Sequence, residues 1–261
     1  MPKFAANLSL MFTELDFLDR FAAARANGFE AVELLFPYAW PAADIAARLA
    51  ASELQLVLHN LPPGNWAAGE RGLACDPARV DEFRQGVSVA LEYAAVLGVH
   101  QLHCLAGIVP PSLSPTVAHA TYVANLRHAA RRLEQRGMHL LIEPINTWDM
   151  PGYFLTGSAQ AAAIIAECGA PNLCMQYDIY HLQRMEGELA TTIRANFPLI
   201  KHIQLADVPG RHEPGTGEIN FSHLFTLLDE LGYDGWVGCE YHPLGETVAG
   251  LDWRTRLTAS A

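Results

Sequence analysis

The chain predicts an α/β protein built as a single closed (β/α)8 barrel, and three observations carry that expectation. A cycle of short apolar run, loop, amphipathic segment and glycine repeats about eight times, as strands alternating with helices in a parallel sheet require. No shift in composition marks a domain boundary anywhere in residues 1–261, and barrels of about 250 residues are common as single domains. Neither GxGxxG nor GxxxxGKS/T occurs, which weakens the open sheets that bind dinucleotides or nucleoside triphosphates.

Residues 5–9 read as the first strand. Residues 13–27 read as the first helix, with Phe17, Leu18, Phe21, Ala22 and Ala24 on one face and Asn27-Gly28 ending it. Residues 31–36, Ala-Val-Glu-Leu-Leu-Phe, make the second strand, 41–52 the second helix and 55–60 the third strand. The connection 61–76 is rich in glycine, proline and tryptophan. Loops of that length in compact domains are often functional lids, which Trp66 and the Glu70-Arg71 pair favour. A helix over 78–97, a strand over 99–105, a helix over 115–136 and a strand ending at Glu143 follow. Then come helix 158–168, strand 173–178, helix 186–196, strand 200–206, helix 221–231 and strand 235–240, beyond which the helical pattern is weak.

Apolar residues make up 51% of the chain, enough for a large core. The formal net charge of −11 opposes binding to a phosphate backbone or an anionic membrane surface, so neither nucleic acid nor membrane is expected as a partner. No run approaches the roughly 18 apolar residues of a membrane helix, and residues 1–7 have no long apolar stretch, so no signal peptide is expected. Cys75, Cys104, Cys168, Cys174 and Cys239 are odd in number and form no CxxC pair, as expected of free thiols in a reducing cytoplasm. A homo-oligomer is left open. An anionic substrate would need local cations or a metal to override the global field.

In a parallel sheet covered on both faces, a carboxylate at the end of an apolar run is costly unless it is paired or metal-bound. Residues 139–146, His-Leu-Leu-Ile-Glu-Pro-Ile-Asn, place Glu143 in that position, with Pro144 stopping the strand. Strand six ends at Asp178, strand seven carries Gln204 and strand eight ends at Glu240, at separations of 35, 26 and 36 residues. Each separation is close to one βα unit, so four consecutive strands deliver these side chains to the carboxyl-end mouth, where barrels place their chemistry. Three carboxylates and an amide oxygen suit a hard divalent cation, Mg²⁺ first with Mn²⁺ as the alternative, better than zinc.

If Gln204 points inward, strand parity puts His202 one layer deeper as a satisfied core histidine. His59 ends strand three and His181 follows Asp178 by three residues; both are candidates to hydrogen-bond a substrate oxygen. His103, His119, His128, His212 and His223 read as structural. Arg211, in the loop after strand seven, offers the planar fork that grips the carboxylate of an α-keto acid. Phe36, Trp66 and Trp148 are placed to roof the mouth.

Several stretches resemble the hydroxypyruvate isomerase family of the xylose-isomerase-like TIM barrels. They are Met11 to Glu14, His59 to Gly72 (His-Asn-Leu-Pro-Pro-Gly-Asn-Trp-Ala-Ala-Gly-Glu-Arg-Gly), Leu141 to Asn146, Gln176 to Glu188, Arg211 to Asn220 and Gly238 to Tyr241. The resemblance spans almost the whole chain, and the 2-oxo-tetronate isomerases share its frame. It departs at Tyr241-His-Pro, where the family is expected to have Tyr-Lys-Pro, and at Thr-Trp-Asp after Asn146. The resemblance implies metal ligation by Glu143, Asp178, Gln204 and Glu240, with Glu143 and Glu240 as the acid/base pair. It implies substrate contacts from His59, His181 and Arg211, with Glu70 in the lid. The reaction implied interconverts hydroxypyruvate and tartronate semialdehyde through an enediolate. The alternative is a 2-oxo-tetronate isomerase or a ketose 3-epimerase acting on a longer substrate. Two further readings compete: a repair endonuclease, which would need a His-rich mouth and a basic surface, and a barrel that binds a metal without chemistry.

Overall fold

A computed structural model describes residues 1–258. Eight parallel strands close in sequence order into a barrel: β1 (Lys3–Asn7), β2 (Ala31–Leu34), β3 (Gln55–Asn60), β4 (Gln101–His103), β5 (His139–Ile142), β6 (Leu173–Asp178), β7 (Ile200–Leu205) and β8 (Trp236–Cys239). Closure is made where β8 pairs with β1, Gly238 lying opposite Ala5. The surrounding helices are α1 (Arg20–Ala26), α2 (Ala42–Ala51), α3 (Val80–Leu97), α4 (Pro115–Glu134), α5 (Ser158–Cys168), α6 (Ile179–Met185), α7 (Leu189–Asn196), α8 (Phe221–Glu230) and α9 (Trp253–Thr258). Among the described residues no helix is long and apolar enough to cross a membrane.

Successive side chains on a strand face opposite sides, so each strand supplies both a helix-facing core and the lumen. Leu102, Leu140, Ile142 and Ile203 join the large core between barrel wall and helices. A separate small cluster, Ala5, Ala31, Val57, Leu58 and Leu141, plugs the barrel. Ala5, Ala31 and Leu141 each precede a polar residue on the same face by two positions: Asn7, Glu33 and Glu143. On these three strands the lumen-facing side chains turn from apolar to polar toward the carboxyl end.

Local chemistry accounts for the differences from the sequence expectations. The first strand begins two residues earlier than expected, which keeps every side chain on its expected face. The first helix is shorter, a 3₁₀ turn at Phe17–Asp19 and then α1, because the Arg20 guanidinium donates to the carbonyls of Leu8 and Leu15 and holds the preceding segment as a loop. Only three residues of the fourth strand pair. The expected helix over 186–196 is α7, beginning at Leu189, and α6, which the sequence pattern does not predict, precedes it. Asp178 caps α6, its carboxylate accepting from the backbone N–H of Tyr180 and His181, and the chain breaks at Gly187-Glu188, both with positive φ, before α7. The weak C-terminal pattern resolves into α9, where Trp253 is fully buried and donates to the Tyr241 hydroxyl. Residues 61–76 form an ordered loop with a 3₁₀ turn at Trp66–Ala68, whose N-cap Asn65 accepts from the Ala68 N–H.

Candidate active site

The carboxyl-end mouth holds a cavity of about 250 Å³ whose lining includes Phe36, Trp66, Glu143, His181, Arg211 and Glu240. Glu143 and Glu240 stand one residue beyond the ends of β5 and β8, and Asp178 ends β6 while capping α6. That cap puts His181 one turn along α6 and back over the barrel axis. Its Nε2 lies 3.7 Å from Asp178 Oδ2 and 3.8 Å from Glu143 Oε1.

Arg211 reaches the site because its loop is built around one carboxylate. Asp207 accepts from the backbone N–H of Val208, Gly215, Gly217 and Ile219. A side chain at Gly217 would run into the Val208 carbonyl, so only glycine fits there. Arg211 itself sits at φ 57°, a conformation a non-glycine residue holds only where its surroundings impose it. Its Nη2 lies 3.2 Å from Glu240 Oε1, 3.9 Å from Asp178 Oδ2 and 3.5 Å from His181 Nε2, and its guanidinium packs over the Tyr180 ring. This is the kind of local cation that an acidic chain would need if its substrate were an anion.

The electrostatics follow from taking three carboxylates out of water around one guanidinium. Burial, then Glu240 and Asp178, push Glu143 well above the usual carboxylate range. Burial also lifts Glu240 to about 8, against the pull of Arg211, and Asp178 to about 6. Burial and Arg211 hold His181 well below its ordinary value, so it is neutral. Asn146 fixes the tautomer: its Oδ1 accepts from the N–H of Trp148 and Asp149, which turns Nδ2 toward His181 Nδ1 at 2.6 Å. His181 thus carries its proton on Nε2 and donates into the site.

The structure brings Glu143, Asp178, His181, Arg211 and Glu240 together. Gln204 is adjacent, but its Oε1 accepts from Gln176 Nε2 at 2.6 Å and its Nε2 donates to Glu33 Oε1 at 2.8 Å. Its oxygen thus accepts one hydrogen bond within the barrel and keeps a second lone pair. His59 is set apart from the cavity lining, with its Nδ1 facing the Asn60 carbonyl and Tyr38, and burial lowers it to about 4. Glu70 points to the outer side of its loop, where it pairs with Arg79 at 2.7 Å and accepts from the Asn65 N–H. His202 is the satisfied core histidine expected, donating from Nε2 to Glu33 at 2.7 Å.

Four residues join the site without having been singled out from sequence: Glu33, Gln176, Asn146 and His103. His103 lines the cavity 3.5 Å from Glu143 Oε2, with both ring nitrogens otherwise unpartnered. Glu33 carried a visible signal, a carboxylate in the middle of Ala-Val-Glu-Leu-Leu-Phe, the same anomaly that marks Glu143.

Glu143, Asp178 and His181 offer ligand atoms within 4.8 Å of one another, all buried, a group that could hold a metal ion. The fit is carried by Glu143 Oε1 and Asp178 Oδ2, buried carboxylate oxygens with no hydrogen-bond partner. His181 would enter as a ligand only by giving up the tautomer that Asn146 imposes.

Fold and site together define a xylose-isomerase-like barrel, and the comparisons with known proteins agree. The chain belongs to the xylose isomerase-like TIM barrel family, which it matches over residues 21–257. It is 53% identical to a 2-oxo-tetronate isomerase of Cupriavidus necator, over 97% of each chain. It is 51% identical to a hydroxypyruvate isomerase of Escherichia coli, covering 97% of this chain and 98% of that one. Among solved structures it resembles a protein of Brucella melitensis described as an AP endonuclease of family 2, with TM-score 0.96, 46% identity and coverage of 98% and 99%. A 3-keto-D-glucoside 4-epimerase of Escherichia coli shares the fold at TM-score 0.80 and 22% identity.

Proposed function

We propose that this protein is an isomerase that moves a carbonyl between adjacent carbons of a short keto acid, interconverting hydroxypyruvate and tartronate semialdehyde. The observation that carries the reading is a pair of buried carboxylates, Glu143 and Glu240, each raised by burial, lining one cavity beside an arginine. Such a pair shares protons, so at neutral pH one member can be the base while the other holds a proton to give.

One carboxylate removes a proton from C3 of hydroxypyruvate, and the electron pair forms the C2–C3 double bond of an enediolate. The proton returned to C2 and the loss of the O3 hydroxyl proton to the C2 oxygen complete tartronate semialdehyde, with no net change in atoms or electrons. Arg211 grips the substrate carboxylate with its fork, and the His181 Nε2–H donates to the oxygen that gains charge. Phe36 and Trp66 exclude water, Trp66 being braced by the Arg71 guanidinium 4.0 Å from its ring. A divalent cation, Mg²⁺ in this reading, held by Glu143 and Asp178 with Glu240 close by, would supply Lewis-acid stabilisation of the enediolate oxygens.

The test is incubation with hydroxypyruvate in D₂O, with and without chelator, following isomerisation and deuterium uptake at carbon. Uptake that accompanies isomerisation is expected; isomerisation with full retention of the substrate hydrogen would replace the enediolate with a hydride shift. The 53% identity to a 2-oxo-tetronate isomerase favours a second substrate one carbon longer, and kcat/KM on both substrates decides between them. The Brucella protein's description raises an endonuclease reading, which the −11 charge opposes; binding to abasic DNA at moderate salt would restore it.

A further inference from the structure

Below the mouth, a buried carboxylate that the reaction does not touch is wired to Glu143. Glu33, on β2, is wholly buried and receives N–H donors from three sides: Asn7 Nδ2 at 3.0 Å and Gln204 Nε2 at 2.8 Å on Oε1, and His202 Nε2 at 2.7 Å on Oε2. Its head group lies against Gly238 on β8, where any side chain would collide with both carboxylate oxygens. A carboxylate only accepts, so Gln204 must turn its NH₂ downward and its carbonyl oxygen up. That oxygen in turn demands a donor, which fixes Gln176 with its NH₂ between Gln204 Oε1 at 2.6 Å and Glu143 Oε2 at 3.0 Å. Each amide has one orientation because the one beneath it does, and the polarity starts at Glu33.

We infer that Glu33 is a positioning residue that, through Gln204 and Gln176, holds Glu143 Oε2 by a hydrogen bond and leaves Oε1 as the oxygen free to act in the cavity, on substrate or metal. Oε1 is the Glu143 oxygen with no partner, and it is the one on the His181 side of the cavity. Without the acceptor at position 33 the two amides are free to invert. Gln176 would then present its oxygen to Glu143 and repel it. The inference rests on the isomerase reading for its catalytic consequence, while the orientation of the amides stands independently of it.

The experiment compares wild type, Glu33→Leu, Glu33→Gln, Gln176→Leu and the double variant Glu33→Leu/Gln176→Leu. Removing a hydrogen-bonded group one shell from the chemistry typically costs roughly 10–100-fold in activity, and that loss is expected in kcat for Glu33→Leu and Gln176→Leu, with KM within about twofold. The double variant should be no slower than Gln176→Leu alone, since both changes break one chain of contacts. Glu33→Gln should recover most of the turnover. Its amide oxygen still accepts from Gln204 and Asn7, while its NH₂ donates to His202 Nε2 once that ring exchanges tautomers. Additive losses in the double variant, or a Glu33→Gln as slow as Glu33→Leu, overturn the inference. Should Glu33→Leu not fold, wild-type turnover in Gln176→Leu would overturn it equally. A second readout needs no turnover: the side-chain amide protons of Gln176 and Gln204 should exchange slowly in wild type and Glu33→Gln and fast in Glu33→Leu. If wild type failed to isomerise any short keto acid, the functional reading would fall, and these exchange rates would still decide the wiring.

Discussion

Glu240→Gln should make the metal-free protein more stable, and increasingly so as pH rises. Burial first, then Asp178 and Glu33, lift the Glu240 carboxyl from its ordinary 4.5 to about 8, although Arg211 pulls the other way. Because the folded value lies above the unfolded one, the native state holds this proton more tightly than the denatured chain does. Wild type therefore loses stability as pH climbs from about 4.5 to about 8 and is level beyond. At 1.36 kcal/mol per pH unit of displacement, the loss is about 3 kcal/mol at pH 7 and about 5 kcal/mol at pH 9. A carboxamide of the same shape has no proton to surrender and escapes it. Urea unfolding of chelator-treated wild type and variant at pH 5, 7 and 9 reads the gap directly, with a midpoint difference of roughly 1 M at pH 7 for a slope near 3 kcal/mol/M. A gap that stays flat across that range, or a variant less stable than wild type at pH 9, would refute the reasoning that this carboxylate is held against its own desolvation. The same variant should lose turnover by about 10²-fold or more if Glu240 is one of the two proposed proton-transfer groups.

Asp207→Ala strips the acceptor from four backbone N–H groups, so we expect a loss of roughly 2–4 kcal/mol in urea unfolding and a raised KM as Arg211 is released. Gly238→Ala drives a methyl group into the Glu33 carboxylate and should cost about 1–3 kcal/mol, read as a fall in Tm, together with a drop in kcat. Mg²⁺ or Mn²⁺ at 100 times its Kd should stabilise wild type by about 2.7 kcal/mol, and thermal shift should show that gain abolished in Asp178→Asn.

How much of this was legible beforehand differs element by element. Strands three and six and the helix over Ser158–Cys168 lie where the hydrophobic pattern puts them, because their ends carry local stop signals: a polar or acidic residue, or Gly169 in the left-handed conformation. The helix over Ile179–Met185 is not legible in the sequence pattern. Its start signal is Asp178 itself, a residue that ends a strand and caps a helix at once. Glu33 is masked for a related reason: its apolar run continues past it, whereas Pro144 ends the run directly after Glu143.

That carboxylates meet at one mouth is already written in the order of residues. The βα repeat is local and regular, so Glu143, Asp178 and Glu240, spaced by about one or two repeats, share the carboxyl end of a barrel whatever the details of packing. What each polar group does there depends on contacts between distant parts of the chain. Gln204 turns its oxygen to Gln176 because Glu33, 171 residues earlier in the chain, claims its NH₂. Arg211 enters the carboxylate cluster because Asp207 folds its loop, and Glu70 leaves the substrate for Arg79 because a full charge lies within reach. Strand spacing fixes where a side chain starts, and hydrogen-bond partners from distant parts of the chain fix where its donors and acceptors end.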